Sequence, residues 1–346
     1  MITKPIPYGR QHITDEDIQC VIDALKSDYL TQGPKIKEFE EAFASYVGCK
    51  YAIAVNNATA ALHLAATALD VNPGDKVIVT PLTFAASANC IRYRGGEVVF
   101  CDVEEDTYLM DIKKLSRLLS QSPKGTYKGI VLVDFAGYPA NLEAFRQLAD
   151  EYGLWIIEDA CHAPGGYFID SKGEKQLCGN GNFADVSVFS FHPVKHIATG
   201  EGGMATTNCK ELYEKLCLYR THGITKNPAL LHENHGGWYY EMQELGYNYR
   251  ITDFQAALGI SQLKRADMGL ARRQEIARRY REGLSDLKGV KLPFVSDQVF
   301  HAYHLFIIQV EDRLGLYDYL HKSNIYAQVH YVPLHLTPYY KQLGNK

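Results

Sequence analysis

At 346 residues, with 46% hydrophobic and 22% charged side chains, the chain has apolar content for about two folded domains and is too apolar to be disordered. A formal net charge of −4 excludes a general nucleic-acid or anionic-membrane binder and leaves room for a local basic pocket for phosphate. No apolar signal core opens the sequence, no uncharged run reaches the roughly 20 residues of a membrane span, and none of the eight cysteines forms a CxxC pair. A reduced, cytoplasmic protein with neither membrane nor nucleic-acid partner is expected. Along the chain, Thr14 followed by three acids and by Ile18, Val21, Ile22 and Leu25 on one face predicts a helix over 14–27. From Tyr51 apolar runs alternate with helical patterns. Strands are predicted over 51–55, 76–80, 98–100, 130–135 and 154–160, and helices over 59–69, 84–93, 112–120 and 142–153. Strands that are apolar throughout and separated by helices predict a mainly parallel sheet covered on both faces. Two further strands, 185–191 and 203–207, complete it, and a cofactor is expected at the carboxyl ends of the strands. After about residue 222 the pattern changes. The Gly- and Tyr-rich stretch 233–250 reads as a long functional loop and 252–286 as helical. Strand-like runs at 304–310 and 325–331 around a short helix at 314–322 predict a smaller α+β domain. The expected division is a large α/β domain over 14–235 and a small C-terminal domain over 236–346, with residues 1–13 packing nearby.

The stretch 187–203, SVFSFHPVKHIATGEGG, holds glycines, histidines and one lysine, which point to phosphate, metal or covalent chemistry respectively. A dinucleotide fingerprint needs GxGxxG straight after a strand and opening a helix; GEGG precedes a strand, and no Walker A motif occurs. HENH (232–235) lacks the spacing that puts two zinc ligands on one helix face, and His330 and His335 are separated across Pro333, so no metal is expected. The lysine reading gains from context. Lys195 follows an apolar strand in a stretch with few charges, where burial would lower its pKa and make it a nucleophile. Such a lysine can bond pyridoxal 5′-phosphate (PLP), which also needs an acid on its pyridine nitrogen, phosphate donors and a flat group against its ring. Asp159 ends a strand. Thr59 and Ala60 open a helix whose N–H groups suit a phosphate. Ser190 adds a hydroxyl, and Phe84 could stack on the ring. Taken singly, Thr59 is a plain cap, Phe84 a core residue and Asp159 a cap or ion-pair member; together, in this strand order, they favour the cofactor.

Five stretches, NNATAALHLA (56–65), TPLTFAASAN (80–89), IIEDACHAPG (156–165), SFHPVKHIATGEGG (190–203) and GYNYRITDFQAALGISQL (246–263), resemble the DegT/DnrJ/EryC1/StrS sugar aminotransferases. The resemblance covers almost the whole chain. It implies the aspartate-aminotransferase-like fold of type I PLP enzymes, and a homodimer with shared active sites. It also implies roles: Lys195 bonded to PLP, Asp159 on the pyridine nitrogen, Phe84 and His162 flanking the ring, and Thr59, Ala60 and Ser190 on the phosphate. Asn248 would reach the partner subunit's phosphate, and Tyr8, Tyr249, Arg250, His330 and Tyr331 would lie near a nucleotide sugar. The stretch 238–265 is most like the subgroup that aminates C4 of UDP-4-keto-6-deoxy-N-acetyl-β-L-altrosamine, on the way to pseudaminic acid, with L-glutamate as donor. Other readings are a nucleotide-sugar aminotransferase acting at another C3 or C4 ketone, a family dehydratase, against which Lys195 speaks, and a PLP-binding regulator without turnover. Two departures stand out. Ala58 replaces a glycine common before the phosphate threonine, so a positive φ is not expected there. The chain also stops at PYYKQLGNK where relatives continue into a helix and strand, so either a truncated product or an incomplete small domain is expected.

Overall fold

The computed structural model describes residues 4–344. Two helices precede the first strand. Helix α1 (Asp15–Leu25) starts on Thr14, whose hydroxyl accepts from Asp17 N while the Asp17 carboxylate takes the Thr14 N–H, a reciprocal capping box. Helix α2 (Pro34–Val47) was not anticipated, although Pro34 in its first turn and Gly48 in the left-handed region mark both ends. It buries Phe39, Phe43 and Val47.

The alternation then proceeds as the apolar runs predict: β1 (Tyr51–Val55), α3 (Ala58–Ala68), β2 (Lys76–Val79), α4 (Ala86–Tyr93), β3 (Glu97–Phe100), α5 (Ile112–Ser120), β4 (Tyr127–Val133), α6 (Leu142–Tyr152) and β5 (Trp155–Asp159). A short hairpin, β6 (Tyr167–Ile169) and β7 (Lys175–Leu177), precedes β8 (Val186–Ser190), β9 (Gly203–Thr207) and α7 (Lys210–Arg220). Seven of these strands form one sheet in the order β1-β9-β8-β5-β4-β2-β3. The pairs β2/β3, β2/β4, β4/β5 and β5/β8 are parallel, while β9 runs antiparallel to both β8 and β1. The reversal has a local cause: no helix lies between β8 and β9, so the chain folds straight back. Helices α3, α4 and α7 pack on one face, with Leu62, Leu64, Ile91 and Leu216 buried, and α5 and α6 on the other with Leu115, Leu119 and Phe145. The Phe39–Phe43 face of α2 covers Phe189 of β8, Phe191 just after it and Met204 of β9.

Beyond α7, β10 (Ile224–Thr225) pairs with β11 (Glu241–Met242), which lies inside the expected long loop. The predicted helical stretch 252–286 is two helices, α8 (Asp253–Leu263) and α9 (Ala266–Leu284), which turn at Lys264 and Arg265. Buried Asp253 takes the N–H groups of Gly33 and Lys35 at 2.8 and 3.0 Å, so α8 caps α2. Of the run 304–310 only β14 (Gln309–Val310) is a strand, paired with β12 (Val290–Lys291). The run 325–331 contains a single bridge, Ile6 to Ile325, because no sheet edge is offered to the rest of it. β13 (Val299–Phe300) instead joins β6 of the preceding half. Helix α10 (Arg313–Lys322) follows, and α11 (Pro338–Gln342) buries Tyr340 among the α3 and α4 side chains. Segments on both sides of residue 236 thus share the same core. No helix among the described residues is long and apolar enough to cross a membrane.

Candidate active site

Three parallel strands end side by side: β4 runs on into Asp134, β5 finishes on Asp159 and β8 on Ser190. Asp159 is buried. Its Oδ2 accepts from Ser87 Oγ at 2.6 Å and its Oδ1 from Cys161 N at 3.2 Å. Ser87 stands in the first turn of α4 and is itself bonded to Thr83 Oγ1 at 2.8 Å. It was missed as a site residue, although it belongs to the stretch TPLTFAASAN; a hydroxyl in the first turn of the helix, four residues after Thr83, was the available signal.

Lys195 sits on the turn between β8 and β9, its N–H donating to His192 O at 2.8 Å. Burial pulls its pKa below the ordinary lysine value, while the charges of Cys161 and Asp159 oppose that shift. His162, three residues after Asp159, is buried and accepts at Nδ1 from Ala136 N at 3.2 Å. Burial, with the nearby Lys195 charge, holds it well below the usual imidazole range, so it presents a neutral, flat ring. That ring packs on His304, with centroids 4.3 Å apart. Phe84 is 61% exposed, and its nearest aromatic neighbour is Tyr331 at 6.5 Å. Tyr331 in turn meets Phe135 at 5.8 Å, and burial together with Tyr8, Asp159 and Cys161 pushes its hydroxyl pKa up.

The phosphate candidates meet through one glycine. Ser190 is register partner of Gly203, and a Cβ on Gly203 would lie 2.6 Å from Ala58 N and from Asn57 C. The first residue of β9 therefore runs against the turn that opens α3, which brings Ser190 and Thr59 to one place. The helix cap is Asn57, not Thr59: Asn57 Oδ1 takes the Ala60 N–H at 2.8 Å, so that N–H is already engaged. The Thr59 hydroxyl has no hydrogen-bond partner among the described residues, and Ser190 Oγ accepts only a long bond from His192 N at 3.4 Å. Ala58 is the first helical residue and has negative φ.

The remaining candidates divide into two groups. Tyr8 and His330 join at the site's mouth, hydroxyl to Nε2 at 2.8 Å with rings stacked at 5.1 Å. Burial raises the Tyr8 pKa to about 12 and lowers that of His330, where the Lys195 charge adds to the effect. Gly9 packs against Val194, next to the lysine. Residues 248–250 are tied elsewhere in this subunit. Asn248 is exposed and bridges Thr221 through its backbone. The Tyr249 hydroxyl meets His63 Nδ1 at 3.0 Å, and its ring stacks on Tyr247 at 5.0 Å. Arg250 lines a separate cavity of about 260 Å³ with Gln32, Lys37, Glu40 and Arg220. One chain thus assembles a lysine, a buried carboxylate, a neutral stacking imidazole and a hydroxyl-lined helix start, and leaves Asn248 on its surface.

Comparison with known proteins accords with this arrangement. The chain is 39% identical over 352 residues to the spore coat polysaccharide biosynthesis protein SpsC of Bacillus subtilis, covering 99% of this chain and 87% of that protein. It is 39% identical over 347 residues to the UDP-4-amino-4,6-dideoxy-N-acetyl-β-L-altrosamine transaminase of Campylobacter jejuni, covering 98% and 86%. Spr1654 of Streptococcus pneumoniae, described as a sugar aminotransferase and solved in its pyridoxamine-phosphate form, superposes with a TM-score of 0.88 at 32% identity over 98% of this chain and 88% of that one. Residues 11–346 match the DegT/DnrJ/EryC1/StrS aminotransferase family, and the chain belongs to that family of PLP-dependent enzymes.

Proposed function

We propose that the protein transfers an amino group from L-glutamate to the C4 ketone of a UDP-linked 4-keto-6-deoxy-N-acetylhexosamine, UDP-4-keto-6-deoxy-L-AltNAc, as in pseudaminic acid biosynthesis. The observation that carries the aminotransferase reading is Lys195 on the β8–β9 turn together with the buried Asp159 at the end of β5. The residues present fit PLP: among the described residues no lysine or arginine is bonded to the buried Asp159, and Gly203 leaves a cradle that a Cβ would fill. When bound, PLP supplies an electron-withdrawing ring that makes the carbon bearing the amino group acidic. Asp159 would hold the pyridine nitrogen, kept in place by Ser87 and the Cys161 N–H. His162 and Phe84 would flank the ring, and Thr59, Ala60 and Ser190 would hold the phosphate. Lys195, whose pKa desolvation lowers, takes the proton from the donor's α-carbon and in the second half-reaction returns one to C4 of the sugar. Tyr8, His330 and Tyr331 stand at the mouth, where they can meet the sugar. Asn248, with Tyr249 and Arg250 beside it, would serve the partner subunit of a homodimer.

The sugar rests on likeness to the Campylobacter transaminase. SpsC is equally similar and supports a second reading, an aminotransferase for another nucleotide-linked keto sugar. The deciding experiment is incubation with L-glutamate and a panel of UDP- and dTDP-4-keto sugars, with products identified by mass and NMR. A 4-amino product from UDP-4-keto-6-deoxy-L-AltNAc, with release of 2-oxoglutarate, is expected. Amination of a different sugar only would replace the substrate, and tight PLP binding with no amination of any sugar would leave a regulator.

A further inference from the structure

Under the site, on the opposite sheet face from Asp159, lie two carboxyls that the proposed reaction does not use. Asp134 and Glu158 are each 1% exposed, and with the Cys178 thiol they place ligand atoms within 4.8 Å of one another. One oxygen of each acid is engaged: Asp134 Oδ1 takes Ala140 N at 2.8 Å, and Glu158 Oε2 takes Gly179 N at 3.0 Å and the Ser187 hydroxyl. The other two, Asp134 Oδ2 and Glu158 Oε1, are buried without a geometric hydrogen bond, and the one donor facing Asp134, the Cys178 thiol, is a weak one. The side chains are within hydrogen-bonding reach of each other. Two ionised carboxylates there would leave both oxygens bare and repelling, whereas one proton satisfies both.

We propose that Asp134 and Glu158 share a single proton, and that this hydrogen bond is a positioning device that keeps three strand ends of the active site together. Asp134 brackets the turn 135–140, whose Ala136 N–H orients His162, and its own N–H donates to Asp159 O at 3.1 Å. Glu158 is the neighbour of Asp159 and holds Ser187 of β8, the strand that leads to Ser190 and Lys195. The proton sits on Asp134, with ionised Glu158 accepting it, because Glu158 also receives the two other donors. The titratable groups near the pair are all acids or thiols: Cys178 after β7, Cys161 after β5, and Asp159, whose charge reaches Glu158 from the other face of β5. Among the described residues no lysine, arginine or histidine is bonded to either carboxyl. A metal ion would need Cys178 as thiolate, which burial and both carboxyls disfavour.

The inference rests on the PLP reading for its consequence but not for its chemistry, and Asp134→Asn separates the two. The amide introduced by that substitution can donate to ionised Glu158 and still accept from Ala140, with no proton to lose. The first measurement is urea unfolding of the apoprotein against pH. The folded protein keeps a proton that the unfolded chain releases near pH ~4. Between that pH and the pair's own pKa, stability therefore falls as pH rises. The wild-type folded-to-unfolded ratio should fall about tenfold more per pH unit than that of D134N, one proton's worth. The second is PLP retained after gel filtration: the wild type should release cofactor on the alkaline side at least about one pH unit before D134N, and D134A, which leaves Glu158 unpaired, should retain little at any pH. Parallel slopes for wild type and D134N would overturn the shared proton, as would a stoichiometric metal whose removal collapses the site. A wild type that takes up no PLP would overturn the function and leave the apoprotein slopes to judge the dyad.

Discussion

Lys195 is the residue proposed to carry the chemistry, and burial lowers its pKa. Its folded pKa lies below the unfolded one, so the ammonium it carries at lower pH is a cost to folding. The stability is complete above the unfolded value and is lost as pH falls through the folded value. Lys195→Met should therefore raise the urea midpoint of the apoprotein, by more at about pH 7 than at about pH 10. Lys195→Ala should lower the rate of amination by roughly a hundred- to ten-thousandfold, the range for loss of a positioned acid–base group, read as 2-oxoglutarate release. Ser87 is the residue that sequence reading passed over. Its 2.6 Å bond to Asp159 goes to a buried carboxylate, so Ser87→Ala should cost about 1.5–3 kcal/mol in unfolding free energy and weaken PLP binding, checked by urea titration and by cofactor fluorescence. A Ser87→Ala variant of unchanged stability would mean that Asp159 does not depend on it.

At the scale of elements, the site exists because β9 turns back directly on β8 and carries Gly203 into the start of α3. A methyl group at Gly203 would meet backbone of Asn57 and Ala58, and backbone gives way less easily than a side chain. Gly203→Ala should destabilise the fold by roughly 1–3 kcal/mol, the usual cost of overpacking, and should weaken PLP binding beyond what stability alone explains. Asn57→Ala removes the α3 cap and should cost about 1 kcal/mol by thermal unfolding. That variant separates helix stability from phosphate binding, because it frees the Ala60 N–H. The alternation of strands and helices was legible because the parallel strands each carry an apolar run, such as 77–79 and 130–133. The antiparallel β9 was legible only indirectly, from the absence of a helix after residue 191. The cap at Asn57 was displaced to Thr59 because both types cap helices and spacing cannot choose between neighbours.

At the scale of the whole molecule, one subunit leaves residues 248–250 bound to their own chain and Asn248 exposed. The nearby loop shows Trp238 and Leu245 at 76% and 78% exposure. If the proposed homodimer shares its sites, Lys195→Ala and Asn248→Ala variants are each weak alone, and mixing them under subunit exchange should restore about a quarter of wild-type activity. Half the dimers are then hybrids with one intact site of two. No recovery in the mixture would place Asn248 outside the partner's site.

The sequence by itself determined the fold class and singled out Lys195 and Asp159 as candidates, because apolar periodicity and a lysine after an apolar strand are local patterns. Only the tertiary structure decided what lies across from what. It placed Ser87 on Asp159, turned the Tyr249 hydroxyl to His63, and set Asp134 against Glu158 from neighbouring strands. It also set the C-terminal segments into the common core in place of the predicted strand at 325–331. Those pairings join residues far apart in the chain, and strand order and register, which no short stretch encodes, bring them within reach.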